Sequence, residues 1–465
     1  MKTSKITINS LNDNGLRLDA SLYLSEGIQI LKFLNSPLIK TKPLKEVTSN
    51  IFYGSRSRRV YVTNVKNGIP FIKGADITKS DFSSLKLLSR KKTYDLQSYM
   101  LKEGWTLITR SGSIGNTAFV NKDFIGKAAS DDIIRVCPQD IPEGFLYAYL
   151  SSKYGNILLT QNKYGAVIQH IEPEHIADIP VPIFPESQQK EIHNLIVESA
   201  NLRVEANRLL EEAQEKFLNS NRLNFSKELL NPQERVFGNI FSENHISPLS
   251  FKARNYSVRA KEIISILSEA NNNVSLDEFL EKPFYMGSRA SFKRISSPNF
   301  KGVDIVSQGD VHQRNPLTFK QVKAKKINNS TAERKMIIMP SAGTLGENEV
   351  FTRPLLIRNN FEGKLLSEVI GVFECKTEED AAYLYNFLSS KALFRVLRTV
   401  VYGTNLLYPN WELMKNIKIP ICSNSDLQEI IKKTLKAFDY KGNANIKETQ
   451  AIQLIEKEIE SWQRS

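Results

Sequence analysis

A chain of 465 residues is about three times the length of a usual single domain, so two or more domains are expected. Its 41% apolar and 9% aromatic content is enough for packed cores and excludes a wholly disordered polypeptide. Lys and Arg number 63 against 50 Asp and Glu, and the resulting +13 favours a polyanionic partner. Cys137, Cys375 and Cys422 are odd in number and widely spaced, which gives no disulfide framework and no CxxC metal pair. They suit a reducing cytosol. Residues 1–24 are polar, without the apolar core of a secretion signal, and no apolar run is long enough to cross a bilayer. A soluble, cytoplasmic protein with no membrane partner is the expectation.

In chain order, the first segment that carries chemistry is Tyr53-Gly54-Ser55-Arg56-Ser57-Arg58-Arg59. Glycine lets a backbone approach a ligand closely, hydroxyls and backbone N–H groups take phosphates, and arginine can grip a guanine edge with two hydrogen bonds. Tyr53, Ser55, Arg56, Arg58 and Arg59 are therefore candidate DNA contacts, weighed against a plain surface turn. Lys73, beside Gly74, is a weaker candidate. Residues 105–109, 116–120 and 133–136 read as short strands separated by Gly and Ser turns. Between the first two lies Arg110-Ser111-Gly112-Ser113, whose similar chemistry adds Arg110, Ser111 and Ser113. A helix is expected over 143–159, and Lys163-Tyr164 comes next as another weak contact.

Pro180, Pro182 and Pro185 then set up a long helix. Ile192, Leu195, Ser199, Leu202, Ala206, Leu209 and Ala213 succeed one another at alternating spacings of three and four, a heptad seam. At 1.5 Å per residue, 187–220 would reach roughly 50 Å.

The second half of the chain repeats the first, in order, at an offset drifting between about 231 and 238 residues. The 52–56 segment returns as Phe284-Tyr285-Met286-Gly287-Ser288-Arg289, with Lys293 and Arg294 close behind. Gly68–Ile77 (GIPFIKGADI) returns at 302–311, Ser111–Gly115 at 342–346, and Leu146–Ser152 (LYAYLSS) as LYNFLSS at 384–390. Strands are expected at 336–339 and 369–373, and a helix at 378–397. Tyr285, Ser288, Arg289, Lys293 and Arg294 become the second set of candidate contacts. After Pro420, Leu427, Ile430, Ile431, Leu435 and Phe438 open a second stripe, which Lys441-Gly442-Asn443 interrupts and Ile452, Ile455, Ile459 and Trp462 resume.

A unit this long is a duplicated domain rather than a solenoid repeat. The fold class is accordingly α+β, with two similar globular domains at 1–185 and 223–424 and two long helices at 186–222 and 425–465. Narrow stripes on both helices favour an antiparallel coiled coil, and duplication favours pseudo-twofold symmetry.

The charge is unevenly placed. Residues 17–155 hold 21 Lys/Arg against 12 Asp/Glu, and residues 251–410 hold 23 against 16, whereas 186–216 holds 4 against 7. Two basic domains across an acidic helix match a DNA reader with a protein-docking spacer; solvated faces are the plain alternative. Enzyme motifs are missing: there is no GxxxxGK[ST], no Asn-Pro-Pro-aromatic tetrad and no GxGxxG. His170 and His175 flank Pro173 without nearby cysteines and read as structural. Glu374-Cys375-Lys376 at the end of an apolar strand resembles half of a metal-dependent nuclease site, but the nearest upstream acids are Glu362 and Glu368.

Several phrases, taken in order, carry a family resemblance: Arg17-Leu18-Asp19-Ala20 with Tyr23, Gly68-Ile69-Pro70-Phe71-Ile72 with Asp76-Ile77, Arg110–Gly115, Tyr164–Ile171, and Ile179-Pro180-Val181-Pro182 with Gln188-Gln189. The chain resembles the specificity subunit of type I restriction–modification systems over nearly its whole length. The second copy departs more, with Asn405-Leu406-Leu407-Tyr408 in place of Val167-Ile168-Gln169-His170 and Pro340 in place of Arg110. The resemblance implies a non-catalytic reader of double-stranded DNA, with no cofactor or metal of its own. Each target-recognition domain would read half of a split, asymmetric sequence. The helices would space the domains and dock two methyltransferase subunits that use S-adenosylmethionine. A motor-nuclease subunit using ATP and magnesium would join for cleavage. A stand-alone DNA-binding protein, or the reading subunit of another modification or defence system, is the alternative.

Overall fold

A computed structural model of the chain describes residues 25–82, 85–161, 170–231, 249–270, 272–288, 302–316, 319–323 and 331–464, together with Ile6, Ile8, Tyr23, Gly238, Asn239 and Ile295. The chain divides into two compact units, Met1–Val204 with Asn443–Ser465, and Glu205–Gly442.

The first unit contains α1 (Glu26–Leu34), β1 (Thr41–Pro43), β2 (Thr48–Phe52), β3 (Tyr61–Val62), β4 (Gly68–Ile72), β5 (Lys86–Ser89), β6 (Thr106–Thr109), β7 (Thr117–Phe119), β8 (Ala128–Ala129), β9 (Ile133–Pro138), α2 (Glu143–Ser151), α3 (Lys153–Gln161), α4 (Pro173–Ile176) and β10 (Pro180–Pro182), and then the long α5 (Glu186–Ser220) begins. Strands β6 and β9 are buried along almost their whole length, and both lie inside the four-stranded sheet β2-β9-β6-β7. Apolar runs without alternation are what a sheet covered on both faces requires. A second sheet, β3-β5-β4-β8, carries a parallel β4–β8 pair at Phe71↔Ala128.

The second unit holds α6 (Lys227–Leu230), α7 (Val258–Ser268), β11 (Asn273–Ser275), β12 (Tyr285–Met286), β13 (Val303–Val306), β14 (Lys320–Val322), β15 (Met336–Pro340), β16 (Leu355–Leu356), β17 (Leu365–Leu366), β18 (Ile370–Glu374), α8 (Glu378–Ser389), α9 (Lys391–Leu397), β19 (Val401–Gly403), β20 (Leu407–Pro409), α10 (Trp411–Met414) and β21 (Lys418–Pro420), and then α11 (Asn424–Arg464) begins. Its sheet order β12-β18-β15-β16 reproduces β2-β9-β6-β7. Its parallel β13–β17 pair, at Ile305↔Leu365, reproduces β4–β8. The sequence repeat is thus a repeat of sheet topology.

Three expectations change. The helices expected at 143–159 and 378–397 are each two helices, broken at Ser152 and Ser390, where the backbone is extended at ψ 161° and 148°. In both, the serine Oγ caps the second helix of the pair, accepting from Gly155 N at 3.2 Å and from Leu393 N at 3.2 Å. The repeated serine pair therefore marks a corner, not a helix interior.

The seam of α5 also shifts. Ile192, Ser199, Ala206, Leu209 and Ala213 are buried as expected, but Leu195 and Leu202 are only half-buried, and Ile196, Arg203 and Phe217 are buried besides. Arg203 breaks the apolar pattern, because a charged residue reads as surface until its partners are known. Inside the first unit, Ser199 Oγ donates to Ala444 O at 2.7 Å and Lys447 pairs with Glu198 at 2.8 Å. Inside the second, Lys216 pairs with Asp426 at 2.7 Å and Lys433 with Glu212 at 3.1 Å. In each unit, the α5 and α11 segments run antiparallel.

The interruption expected at 441–443 is absent: α11 is helical throughout. A Cβ on Gly442 would lie 1.4 Å from Asn359 Nδ2 and 2.3 Å from its Cγ, so the glycine is the seat for the Asn359 side chain. Alanine would gain about 1 kcal/mol of helix propensity but must displace Asn359, and Gly442→Ala is expected to cost a net ~1–3 kcal/mol by overpacking. Asn359 has φ +48°, so adding Asn359→Gly should restore stability in urea unfolding. A melt of Gly442→Ala at or above the wild type would contradict this.

Candidate nucleic-acid interface

The 53–59 loop leaves β2 and is fixed from beneath. Gly54 is buried, and a Cβ there would come to 3.1 Å from Ser98 O. Ser55 N donates to Ser98 Oγ at 3.0 Å and Ser55 Oγ to Asp95 Oδ2 at 2.7 Å. Tyr99 Oη donates to Ser55 O and lies 3.0 Å from Ser57 Oγ. Hydrogen bonds from Ser55 and Ser98 hold the exposed Asp95 carboxyl below the usual aspartate range.

The arginines of this region fall into two groups. Arg59 donates to Ser130 Oγ and to Asp132 Oδ2, each at 3.0 Å, and also pairs with Asp131. Burial works against its charge, but the two aspartates outweigh it and raise its pKa above that of an ordinary arginine. Burial likewise opposes ionisation of Asp132, but the Arg59 and Ser111 hydrogen bonds prevail and hold the carboxyl low. Arg110 is 4% exposed and grips Glu172 with two nitrogens, one at 3.1 Å. Arg56 is 58% exposed, 3.7 Å from Glu172, and the Arg56 and Arg110 guanidinium carbons lie 5.3 and 4.5 Å from the Tyr53 ring centroid. Arg58 is exposed and forms no ion pair among the described residues. Arg56 and Arg58 are the cations this loop presents outward.

Gly112 and Gly115 adopt φ +71° and +84°, which the turn after β6 needs. Ser111 Oγ donates to Asp132 Oδ1 at 3.0 Å and its backbone bridges to His170, while Ser113 is exposed. The same pairing recurs in the second unit as a Gly343↔Leu407 bridge. Lys73 N donates to Asp76 Oδ2 at 2.9 Å, and its ammonium lies 6.0 Å from the Tyr61 ring centroid.

In the second unit, Gly287 repeats the role of Gly54, since a Cβ would meet Ser367 O at 2.4 Å. Ser288 N donates to Leu366 O at 2.9 Å. Tyr285 Oη donates to Glu374 Oε2 at 2.9 Å, and burial with that carboxylate raises the phenol's pKa. Arg17–Ala20, Lys163, Tyr164–Gln169, Arg289, Lys293 and Arg294 lie outside the described residues. Glu374 is almost buried and takes Lys282 at 3.0 Å and Lys335 at 3.2 Å besides Tyr285. Lys376 turns to the Glu278 carbonyl at 2.6 Å, so Glu374 and Lys376 do not face one site. No group of three His, Cys, Asp or Glu that could hold a metal occurs among the described residues. No helix among them is long and apolar enough to cross a membrane.

Sequence reasoning missed Arg135, which is fully buried in β9 and forms no ion pair among the described residues. It donates to Ser130 O at 2.8 Å, to Ile133 O at 2.5 Å and to Ala129 O. Burial pulls its pKa down to about 10. Its one signal is a charge in the otherwise apolar run Ile133–Pro138.

Residues 39–205 match the type I restriction modification DNA specificity domain. Among solved structures, the S subunit of the type I restriction–modification system of M. genitalium is 13% identical, with 91% of this chain and 97% of that chain covered and a TM-score of 0.38. The HsdS subunit of Thermoanaerobacter tengcongensis is 13% identical over 92% of this chain and 97% of that one, with a TM-score of 0.27. No curated protein matches the chain. The matched span takes in β1 to β10, both arginine groups, and α5 as far as Glu205.

Proposed function

We propose that the chain is the DNA sequence-specificity subunit of a type I restriction–modification complex. Two target-recognition domains, 1–185 and 223–424, each read one half of a bipartite, asymmetric site in double-stranded DNA. The helices at 186–222 and 425–465 pack as an antiparallel coiled coil, relate the domains by pseudo-twofold symmetry and dock two methyltransferase subunits. The chain is non-catalytic; S-adenosylmethionine, ATP and magnesium serve the methyltransferase and motor-nuclease subunits. The specificity-domain match over 39–205 carries this reading. The recurrence of its sheet order in the second unit supports a second reader. The basic balance of both globular segments supports DNA as the ligand.

Within the first reader, Arg56 and Arg58 touch DNA, and Arg59, Arg110 and Ser111 hold the loops that present them. Arg56→Ala or Arg58→Ala should weaken DNA binding by about 1–3 kcal/mol if the arginine grips a base edge, while assembly with the methyltransferase is unchanged. Binding isotherms across a salt titration measure this, and affinity equal to wild type at every salt would remove the loop from the interface. Co-expression with the methyltransferase should yield a stable complex. Recovery of the free chain alone counts against the scaffolding role.

A further inference from the structure

Two arginines of the first unit are already neutralised from within, Arg59 by Asp131 and Asp132 and Arg110 by Glu172. A duplex needs unpaired cations to displace its counterions. Strand pairing in the β3-β5-β4-β8 sheet gathers such cations elsewhere. Gly68 is in register with Ser89, and Arg90 N donates to Asn67 O at 2.9 Å, which sets the turn before β4 against the turn after β5.

Both turns are internally fixed. Lys66 N donates to Asn64 Oδ1 at 2.9 Å, Lys92 N to Ser89 Oγ at 3.2 Å, and Arg90 Nε to Gly68 O at 2.9 Å. Lys66, Arg90, Lys91 and Lys92 are all exposed, and none forms an ion pair among the described residues. Tyr94, in the chain directly behind them, is 78% exposed. Asp95, the next residue, holds Ser55, so this basic edge is joined to the 53–59 loop.

We propose that these two turns form a sequence-independent clamp on the DNA phosphate backbone. Lys66, Arg90, Lys91 and Lys92 neutralise phosphates, and Tyr94 rests on the sugar-phosphate. The inference rests on the DNA reading above and divides the labour: the 53–59 loop discriminates sequence, whereas the clamp supplies affinity and register.

The test uses the full chain with all four cations changed to Gln, and two probes: a duplex of arbitrary sequence and a duplex selected from a random pool by the wild type. The plot of log Kobs against log salt should become shallower by about 3 to 4, from roughly 0.9 per phosphate contact. Affinity should fall by the same factor for both duplexes, and the melting temperature should fall only slightly, because the residues are exposed and only Arg90, on Gly68 O, gives up a side-chain hydrogen bond. Arg58→Ala should instead weaken the selected duplex more than the arbitrary one. An unaltered salt slope in a variant that melts like wild type, or a loss confined to the selected duplex, overturns the clamp alone. Failure of the wild-type chain to bind any duplex overturns the DNA reading and the clamp with it.

Discussion

Arg203→Ala is expected to destabilise the first unit by about 3–5 kcal/mol, the scale for removing one partner of a buried ion pair. Arg203 and Glu448 are both buried, and Arg203 donates to Glu448 Oε2 at 2.6 Å, Asn445 Oδ1 at 2.8 Å and Ser199 Oγ at 2.8 Å. Tyr147 Oη donates to the other Glu448 oxygen. Without the guanidinium, the Glu448 carboxylate loses its Arg203 counter-charge while it stays buried. Replacing both partners, as Arg203→Met with Glu448→Leu, should recover most or all of the loss, because no charge is then buried. Chemical unfolding of the two single variants and the double variant forms a cycle whose coupling should exceed about 0.5 kcal/mol, the usual limit of additivity. A loss below about 1 kcal/mol for Arg203→Ala would mean that water reaches Glu448.

The second large effect is expected at Arg135. Arg135→Ala leaves the carbonyls of Ala129, Ser130 and Ile133 without their side-chain donor. Ser130 O keeps its bond from Ile133 N at 3.1 Å, and at about 1–3 kcal/mol for each buried acceptor that loses its donor the total should be at least about 2 kcal/mol. The same turn is bound from its other side by Arg59, through Ser130, Asp131 and Asp132. Loosening it should therefore also release the 53–59 loop and lower DNA affinity, although Arg135 itself touches no ligand. Arg135→Lys keeps one cationic donor and should rescue stability and affinity together, in part. Measured unfolding and binding that move independently in these two variants would separate the turn from the reading loop.

Much of this was legible in the sequence. The repeat recurs as a repeat of sheet order, the strands expected at 105–109, 133–136, 336–339 and 369–373 form at 106–109, 133–138, 336–340 and 370–374, and the 53–59 cluster stood out by its Gly-Ser-Arg chemistry. The corners at Ser152 and Ser390 were not, since the flanking residues continue a helical pattern and the serine Oγ decides the break. The continuity of α11 through Gly442 was not legible either, because the glycine answers to a neighbour, Asn359, rather than to the helix.

By itself, the sequence determined the duplication, the basic balance of both globular segments and the acidic helix between them, because composition and spacing are local properties. Only the tertiary structure decided which cations are paired within the fold and which are left to solvent. Arg59 meets Asp132 at a separation of 73 residues, and Arg203 meets Glu448 at 245. An arginine's formal charge is written in its side chain, but whether that charge faces a phosphate or a carboxylate depends on what the fold places within hydrogen-bonding distance.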